Sequence, residues 1–360
     1  LLGYGLYNPR SEIAVRMIRF GDALPDAEFW RDRFARAVEL RRGLLRLDEQ
    51  ADCYRVIHAE ADGMPGLVVD RFGDVLSAEA FSLGMFLRAR EILEQLAPLC
   101  GTRPWLIQPG PQVLAQEGFS SDPVLSEDCP RSVVVQEFGT KFRVRFEGGH
   151  KTGFFCDQRD NRRMLAEMCR GRSVLDLCCY SGGFAVQAMK LGAAAEATGV
   201  DLDEAPLALA RENAKLNRVD IRFVQADVFP YMRDMLRSGR QYDVVVLDPP
   251  KLIRTRSEVE EGTRKHFDLN RLAMQLVKPG GLLLSCSCAG LLPWEEFLKL
   301  LYSAARQAGP PSGPPDENGR VRHLPRSMQV LAKTGAGADH PIDSNCLETE
   351  YLKAVWMRMG

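Results

Sequence analysis

Residues 173–193 read SVLDLCCYSGGFAVQAMKLGA, and this stretch decides the fold of the larger part of the chain. A short apolar run, typical of a buried strand, leads into a turn with two adjacent glycines. Apolar residues at helical spacing follow the turn and end at a third glycine. The stretch therefore predicts one strand and one helix, joined by a tight turn.

The same order of strand and helix recurs along the rest of the chain. The predicted elements are a strand and helix over 196–217, a strand and helix over 221–239, a strand over 242–251 ending in a Pro-Pro turn, a helix over roughly Arg264–Val277, a strand over 280–290, a helix over 294–309 and two strand-like segments near Met328 and 351–359. Strands that alternate with helices are typical of an α/β fold with a doubly wound parallel sheet.

The first half of the chain has more strands and fewer helices. The predicted elements are a strand over 12–20, a helix after Asp26 as N-cap, two or three strands over 53–81, a helix over about Leu83–Leu99, a short strand over 104–109, a loop over 108–131 and a hairpin over 132–146 turning at Gly139. Five arginines of the first helix form either a solvated face or a nucleic-acid contact: Arg31, Arg33, Arg36, Arg41 and Arg42.

Composition limits the classes of function. The 360 residues carry a formal net charge of −1, so attraction to a polyanion requires a local basic patch. No apolar run is long enough to span a bilayer and no secretory signal is visible, which predicts a cytoplasmic protein without a membrane partner. Ten cysteines without a CxxC pair, beside five scattered histidines, predict reduced thiols and no metal site. The oligomeric state stays open, with a homodimer as one option.

Four predicted strand ends carry an acid: Asp176, Asp201, Asp227 and Asp248. Ligands of doubly wound sheets bind beyond the carboxyl ends of the strands, so these acids predict one site. Capping of the following helices is the alternative explanation and accounts for part of the pattern.

The acids favour S-adenosylmethionine over a dinucleotide as the cofactor. A dinucleotide typically binds at a GxGxxG turn, and the turn after this strand does not have that spacing. Asp176 would also repel the pyrophosphate of a dinucleotide. S-adenosylmethionine instead carries an ammonium and a sulfonium. Asp201 can accept both ribose hydroxyls, Asp227 can meet the adenine amino group, and Gly182 and Gly183 let the backbone approach the methionine portion.

Motifs across nearly the whole chain resemble one family. They are GYGLYNPRSEIAVRMIRF (3–20), AEADGMPGLVVDRFGD (59–74), HKTGFFCDQRDNRR (150–163), VLDLCCYSGGFAV (174–186), VDLDEAPLALARENAKLN (200–217), DVVVLDPPK (243–251), LLLSCSCAGL (282–291), ADHP (338–341) and YLKAV (351–355). This set resembles the bacterial large-subunit (23S) rRNA cytosine-5 methyltransferase family. The resemblance implies S-adenosylmethionine as donor and rRNA as acceptor.

The resemblance also implies a class I (Rossmann-like) methyltransferase fold with an antiparallel strand at the far edge of the sheet. The implied domains are the end of a PUA-like barrel (1–22), a linker helix (23–50), a small α+β middle domain (51–147) and the methyltransferase domain (148–360). The resemblance implies that most of the PUA barrel is missing from this sequence. Segments 108–131 and 309–327 do not match the family pattern, and the sequence indicates no role for either segment.

These arguments together define the predicted site residues. The predicted cofactor-binding residues are Asp176, Tyr180, Gly182, Gly183, Asp201, Leu202, Asp227, Val228, Phe155 and Gln158. The predicted substrate-binding residues are Pro249, Pro250, Lys251 and Arg159. Phe155 equally fits a packing role, and Lys251 a solvated one. His340, in the ADHP motif, is interpreted as structural.

One of two cysteines is the predicted nucleophile. Addition of a thiolate to C6 of cytosine makes C5 nucleophilic, which splits one difficult step into two. Cys286 and Cys288 share a face of the predicted strand, and Cys288 is nearer the ligand end. Cys288 is also the residue that corresponds to the family's cysteine. Cys286 as nucleophile, or two inert core thiols, remain the alternatives.

Asp248 is the second predicted catalytic residue. Its carboxyl group would donate to cytosine N3, or its carboxylate would hold the exocyclic amine. Another branch of cytosine-5 enzymes carries a cysteine after the two prolines, where this chain has Lys251. Two other functions stay open, namely methylation of a purine ring or exocyclic nitrogen by the same fold, and a non-catalytic RNA-binding ribosome-assembly factor.

Overall fold

The computed structural model describes residues 1–146, 152–314 and 321–360, which form two compact units. Unit 1 comprises Leu1–Arg159 and Gly337–Thr349, and unit 2 comprises Asp160–Ala336 and Glu350–Gly360. The predicted domain boundary at 147/148, His150 and Lys151 of the HKTGFF motif, and part of the predicted loop 309–327 lie outside the described residues. The four-part division of the chain therefore stays a prediction.

Unit 1 contains two antiparallel hairpins and a five-stranded sheet. Its elements are β1 (Gly3–Tyr7), β2 (Val15–Phe20), α1 (Ala27–Val38), β3 (Cys53–His58), β4 (Leu67–Phe72), β5 (Val75–Ala80), α2 (Leu83–Cys100), β6 (Trp105–Pro109), α3 (Val113–Glu117), β7 (Val124–Leu125), β8 (Ser132–Glu137) and β9 (Thr140–Arg145). The sheet has the order β3-β4-β5-β6-β7, in which only β5 and β6 run parallel. The α+β composition predicted for this region is present.

Helix α1 begins where its sequence predicts. The carboxylate of Asp26 accepts the backbone N–H of Phe29 at 3.0 Å, which satisfies one of the free donors at the helix start. Neither the solvated face nor the nucleic-acid contact considered for the arginines of this region holds for Arg41, which is fully buried. Its guanidinium donates to both carboxylate oxygens of Asp62, at 2.6 and 2.8 Å.

The loop predicted over 108–131 contains two short elements, α3 and β7. Strand β7 pairs its two residues with Leu106 and Ile107 of β6. Helix α3 ends at Glu117, whose buried carboxylate accepts bonds from Asn8, Ser11 and the backbone N–H of Leu83. Elements of two and five residues are too short to show a periodic pattern in the sequence. Contacts with residues distant in the chain stabilise them instead.

Unit 2 contains a seven-stranded sheet with helices on both faces. The elements from Arg159 onward are α4 (Arg159–Glu167), β10 (Ser173–Leu177), α5 (Gly183–Lys190), β11 (Glu196–Asp201), α6 (Glu204–Asn217), β12 (Arg222–Gln225), α7 (Val228–Arg237), β13 (Tyr242–Leu247), α8 (Val259–Leu276), β14 (Val277–Ser287), α9 (Trp294–Ala305), β15 (Met328–Thr334) and β16 (Lys353–Met359). The strand order is β12-β11-β10-β13-β14-β16-β15.

The topology confirms the doubly wound class I methyltransferase fold. The first five strands in this order run parallel, and β16 runs antiparallel to both β14 and β15. The antiparallel strand is thus inserted one position in from the far edge, and not at the edge itself as expected. Strand order reverses between β10 and β13, and this reversal opens a crevice at the carboxyl ends of the strands.

Strand β14 separates the two halves of the core of unit 2. Leu283 and Val355 face the cluster that α8 and α9 cover. Leu284, Cys286 and Trp356 face the opposite cluster, which includes residues of α5. Because side chains alternate along a strand, the serines at 285 and 287 share the α8 face with Leu283.

Candidate active site

The turn between β10 and α5 has an unusual backbone. Cys178, Tyr180 and Gly182 adopt left-handed conformations, with φ of 61°, 48° and 77°. The carboxylate of Asp201 holds this turn, since one oxygen accepts the N–H of Tyr180 at 2.8 Å and the other accepts the N–H of Asp203 at 3.2 Å. A non-glycine residue with positive φ is uncommon, and two in one turn are typical of a functional loop.

Gly182 in this turn has little room for a side chain. A Cβ there would lie 3.1 Å from both the Cβ of Ala210 and a ring carbon of Phe223. The residue also has the positive φ that glycine adopts without steric cost. Glycine is therefore required at 182 by both space and backbone conformation, and this turn brings the start of α5 close to the end of β10.

Asp176 is fully buried at the end of β10. One carboxylate oxygen accepts the N–H of Ala185 at 3.0 Å, and the other has no hydrogen-bond partner among the described residues. Burial raises the pKa of Asp176 to about 8, and the negative charges of Asp248 and Asp201 add to this rise. A buried oxygen without a donor, surrounded by acids, has the chemistry to receive a cationic group.

The four strand-end acids all raise the pKa of one side chain, the thiol of Cys178. Burial raises the pKa of the Cys178 thiol, and the charges of Asp201, Asp248, Asp176 and Asp227 each raise it further. Asp227 also caps α7, because its carboxylate accepts the N–H of Phe229 at 2.8 Å. Capping thus explains part of the pattern, as expected, while the common neighbour Cys178 shows that the acids are grouped.

This group of residues fits S-adenosylmethionine. Three properties match it: the unpartnered oxygen of Asp176 suits an ammonium, exposed Asp227 and half-buried Asp201 suit hydroxyl and amino donors, and the acidic surroundings disfavour phosphate. Leu202 is exposed and follows Asp201 directly, whereas Val228 is half-buried at the start of α7.

Two other predicted cofactor-binding residues, Phe155 and Gln158, belong to unit 1. Phe155 is half-buried and Gln158 is buried, and the N–H of Gln158 donates to the carbonyl oxygen of Phe155 at 3.4 Å. Their contact with the cofactor stays a prediction.

Cys286 and Cys288 differ in their surroundings. Cys286 is fully buried in the core with Leu284 and Trp356. Cys288 is half-buried and is the first residue beyond the end of β14. The position beyond the strand end places Cys288, and not Cys286, at the edge of the sheet where ligands of such folds bind.

Polar residues that the sequence interpretation missed lie beside the end of β14. The Oγ of Ser287 lies 3.4 Å from Nε2 of His266, and the Oγ of Ser285 donates to Oδ1 of Asn270 at 2.6 Å. Lys353, nearly fully buried, pairs in register with Ser287. A lysine within the apolar run YLKAVWM was the available signal, because lysine is rarely buried without a reason.

The DPPK loop begins directly after β13. Asp248 is half-buried, and its backbone N–H donates to the carbonyl oxygen of Leu177 at 3.3 Å. Pro249 is buried, whereas Pro250 and Lys251 are exposed. The loop therefore presents one rigid, partly exposed surface, and its contact with substrate stays a prediction.

Arg159 has a structural environment. It is 1% exposed and donates to both carboxylate oxygens of Asp339, at 3.1 and 3.0 Å. Asp339 also accepts the backbone N–H of Arg55 at 2.8 Å. Burial alone would raise the pKa of Asp339, but His340 and Arg159 lower it overall. A guanidinium held in this way has little surface to offer an RNA, so we do not propose Arg159 as a substrate contact.

No group of three or more His, Cys, Asp or Glu side chains within residues 1–146, 152–314 and 321–360 is arranged to hold a metal ion. No helix in those ranges combines the length and apolar character needed to cross a bilayer.

Comparison with known proteins identifies the family. Residues 81–310 match the S-adenosylmethionine-dependent methyltransferase family. The chain is 36% identical over 364 residues to ribosomal RNA large subunit methyltransferase I of Tolumonas auensis, covering 99% of this chain and 87% of that protein. It is equally identical over 369 residues to the protein of the same name from Shewanella denitrificans, with the same coverage.

A solved structure shares the fold. The match to a methyltransferase structure in complex with SAH covers 99% of this chain and 88% of that protein's chain. Its TM-score is 0.82 and the sequence identity is 20%. At that identity the likeness concerns the fold alone. The chain therefore belongs to the S-adenosylmethionine-dependent methyltransferases, and within them to the ribosomal RNA large subunit methyltransferase I family.

Proposed function

We propose that this protein methylates carbon 5 of a cytosine in large-subunit rRNA, with Cys288 as nucleophile. One observation carries the proposal. Asp176, Asp201, Asp227, Asp248 and Cys288 all lie at the carboxyl ends of five adjacent parallel strands. The names of the relatives support rRNA as the acceptor.

In the proposed reaction, the thiolate of Cys288 activates the cytosine ring. Carbon 5 of the ring is a poor nucleophile, but addition of a thiolate to C6 forms a C–S bond and moves the C5–C6 π electrons to the enamine-like C5. When bound, S-adenosylmethionine supplies an electrophilic methyl group. C5 would take this methyl group as the bond between the methyl carbon and the sulfonium sulfur breaks, and that sulfur would leave as a neutral thioether. Transfer of the C5 proton to a base or to water, followed by elimination of the thiolate, would restore both the aromatic ring and Cys288.

Asp248 is the second proposed catalytic residue. It follows β13, the neighbour of β14, so the chain brings it to the same edge of the sheet as Cys288. A carboxyl group there donates to cytosine N3 as electrons move toward it, or a carboxylate accepts from the exocyclic amine.

The target base must leave its stack. The thiol and the methyl donor approach C6 and C5 from above or below the ring plane, which neighbouring bases cover as long as the cytosine is stacked. Pro249 and Pro250 stiffen the turn after Asp248, and we propose that exposed Pro250 supplies an apolar surface for the unstacked ring. We propose that Lys251, which is exposed, contacts a phosphate of the flanking RNA backbone.

A covalent trap tests the nucleophile. RNA that contains 5-fluorocytosine cannot lose the substituent at C5, so the C–S bond persists and the protein migrates with its RNA in a denaturing gel. We expect an adduct with the native protein and with Cys286→Ala, and none with Cys288→Ala. The Cys286→Ala variant is the matched control, because it removes a thiol two residues away and creates a cavity of similar size.

Three outcomes contradict the proposal. An undiminished adduct in Cys288→Ala excludes Cys288 as the nucleophile. No adduct with the native protein, together with a methylated purine nucleoside in digested product RNA, would establish the alternative reaction at a purine nitrogen. Absence of S-adenosylmethionine binding by calorimetry would instead favour a non-catalytic RNA-binding factor.

A further inference from the structure

We propose that the side chains of Ser287 and His266 form a hydrogen-bonded link that fixes the backbone of Cys288 and so sets the direction of its thiol. The inference rests on the proposed function, in which Cys288 is the nucleophile. Ser287 is fully buried and His266 nearly so, which keeps both away from an RNA base. They act through Cys288 and are therefore positioning residues.

The backbone of Cys288 lies beyond the ladder of the sheet. The pairs of β14 with β13 end at Ser285, and its pairs with β16 end at Ser287. Ladder pairs hold the dihedral angles of a strand residue, so other contacts must set those of Cys288. Accurate placement matters for a nucleophile, because a displacement of about 1 Å can lower a rate about 100-fold.

The hydroxyl group of Ser287 supplies such a contact. Its Oγ accepts the backbone N–H of Ala289 at 3.4 Å. Serine forms turns of this kind with the residue two positions further on. The bond closes a ring of atoms that includes both backbone dihedral angles of Cys288, so it restricts the direction of the Cα–Cβ bond that carries the thiol.

His266 holds the hydroxyl group of Ser287 from the neighbouring helix. Its Nε2 lies 3.4 Å from Oγ of Ser287. Burial and then the positive charge of Lys353 lower the pKa of His266 to about 4, so the ring is neutral near pH 7. A neutral imidazole can join a hydroxyl group through Nε2 in either tautomer, as donor or as acceptor. An edge contact with Phe297, at 5.9 Å between ring centroids, restrains the ring.

A second hydrogen bond between α8 and β14 lies beside the first. Oγ of Ser285 donates to Oδ1 of Asn270 at 2.6 Å. His266 and Asn270 are four residues apart on the helix, a rise of about 6 Å, and the two serines are two residues apart on the strand, a rise of about 6.6 Å. The spacings match, so α8 carries two parallel contacts to β14, and the one made by Ser287 borders Cys288.

The choice of histidine at 266 has a cost that an apolar side chain would avoid. Nδ1 of His266 is buried and has no hydrogen-bond partner among the described residues. Most buried polar atoms are paired, and an unpaired one lowers stability. A hydrocarbon side chain would fill this position without that loss. The advantage of the imidazole therefore lies at Nε2, in its contact with Ser287.

Two measurements on Ser287→Ala test the link. The first is hydrogen exchange at the amide of Ala289, followed by mass spectrometry with electron-transfer fragmentation. We expect exchange about tenfold faster, because the variant removes the oxygen that accepts this N–H. The second is the rate of adduct formation with 5-fluorocytosine RNA as a function of RNA concentration. We expect the maximal rate constant to fall about tenfold while the half-saturating RNA concentration stays the same, because the link positions the thiol and does not bind RNA.

Ser285→Ala is the matched control. It removes an equally buried hydroxyl group on the same face of β14, together with one hydrogen bond to α8. Both measurements should keep nearly native values in this variant, whereas a general loosening of the strand would change them in both serine variants. Circular dichroism and calorimetry with S-adenosylmethionine check that each variant keeps its fold and its cofactor site.

Substitutions of His266 repeat the test from the helix. His266→Leu removes the contact with Ser287 and should reproduce the effects of Ser287→Ala. His266→Gln places an amide close to the position of Nε2, and an amide can donate or accept, so this variant should keep most of the native rate. If Ser287→Ala is not folded, the contrast between these two variants carries the test.

Failure of this inference is distinct from failure of the proposed function. Native exchange at Ala289 in Ser287→Ala overturns the link, and so do equal losses in the two serine variants. Faster exchange with a native rate of adduct formation overturns its role in positioning the thiol. An adduct that does not require Cys288 overturns the proposed nucleophile instead, while exchange at Ala289 still decides whether the link holds the backbone of residue 288.

Discussion

Asp176→Asn is expected to stabilise the cofactor-free protein while abolishing tight cofactor binding. The carboxyl group is fully buried, and its pKa is raised from 3.8 to about 8. Asparagine has the same shape and still accepts the N–H of Ala185, but it does not titrate. The substitution therefore removes a buried ionisable group and leaves the surrounding packing in place.

The magnitude follows from linkage. Because the pKa is higher in the folded state, the folded protein holds this proton more tightly from pH 3.8 up to about 8. The stability contributed by the protonated carboxyl is complete below pH 3.8 and is lost as pH rises, by about 1.4 kcal/mol per pH unit. The advantage of Asp176→Asn should thus grow by about 3 kcal/mol between pH 5 and pH 7.

Urea unfolding at several pH values measures this advantage. Of the four tryptophans, Trp294 and Trp356 belong to unit 2, so a background with Trp30→Phe and Trp105→Phe reports the unit that contains Asp176. Comparison of the variant with the native carboxyl at each pH cancels every other titration. The unpartnered amide N–H₂ group lowers the advantage by about 1–3 kcal/mol at all pH values, but it does not change the slope.

Asp176→Asn should raise the stability of the protein but lower its affinity for S-adenosylmethionine. An ammonium next to Asp176 favours its carboxylate, so binding of S-adenosylmethionine near pH 7 should release close to one proton. Calorimetry in buffers of different ionisation enthalpy counts this proton. We expect weaker binding and no proton release in Asp176→Asn. An advantage that stays constant from pH 5 to pH 7, or native affinity in the variant, would refute the reasoning.

Three further substitutions test other parts of the structure. Asp339→Asn leaves the guanidinium of Arg159 buried without its partner and should lower the free energy of unfolding by about 3–5 kcal/mol, whereas removal of exposed Arg163 should change it little. Glu117, whose hydrogen bonds lower its pKa from 4.5 to about 2, should lose its stabilising effect as pH falls through that window, and Glu117→Gln should lose about 2 kcal/mol at pH 7, measured by urea unfolding. Gly182→Ala should weaken S-adenosylmethionine binding at least tenfold in calorimetry, because a Cβ there meets close neighbours at positive φ; unchanged affinity would exclude a tight turn as the reason for glycine.

Several features of this fold were visible in local sequence alone. The alternation of strand and helix after residue 172 predicted the doubly wound sheet because apolar periodicity and turn residues are local properties. The acids at four strand ends predicted a common ligand site for a similar reason, since the carboxyl ends of parallel strands always meet at one edge. Asp26, as an N-cap residue, likewise predicted the start of α1.

Long-range pairing produced the features that spacing did not reveal. Helix α3 and strand β7 depend on the partners of Glu117 and on the edge of β6. Arg41 and Arg159 resemble surface arginines in the sequence, yet each lies buried against a carboxylate that is far away along the chain. A charged side chain is buried only when tertiary structure supplies its counter-ion, and residue type does not indicate which arginines obtain one.

The sequence by itself determined the order of the elements, the acids at the edge of the sheet and the two candidate cysteines. The sequence favoured Cys288 at the ligand end and Cys286 in the core but left the alternatives open, and the tertiary structure has Cys286 in the core and Cys288 beyond the strand. Only the tertiary structure set Lys353 opposite Ser287. The reason is physical. Strand identity and turn position follow from neighbours in the chain, whereas register, burial and charge pairing follow from atoms that sequence separation keeps apart.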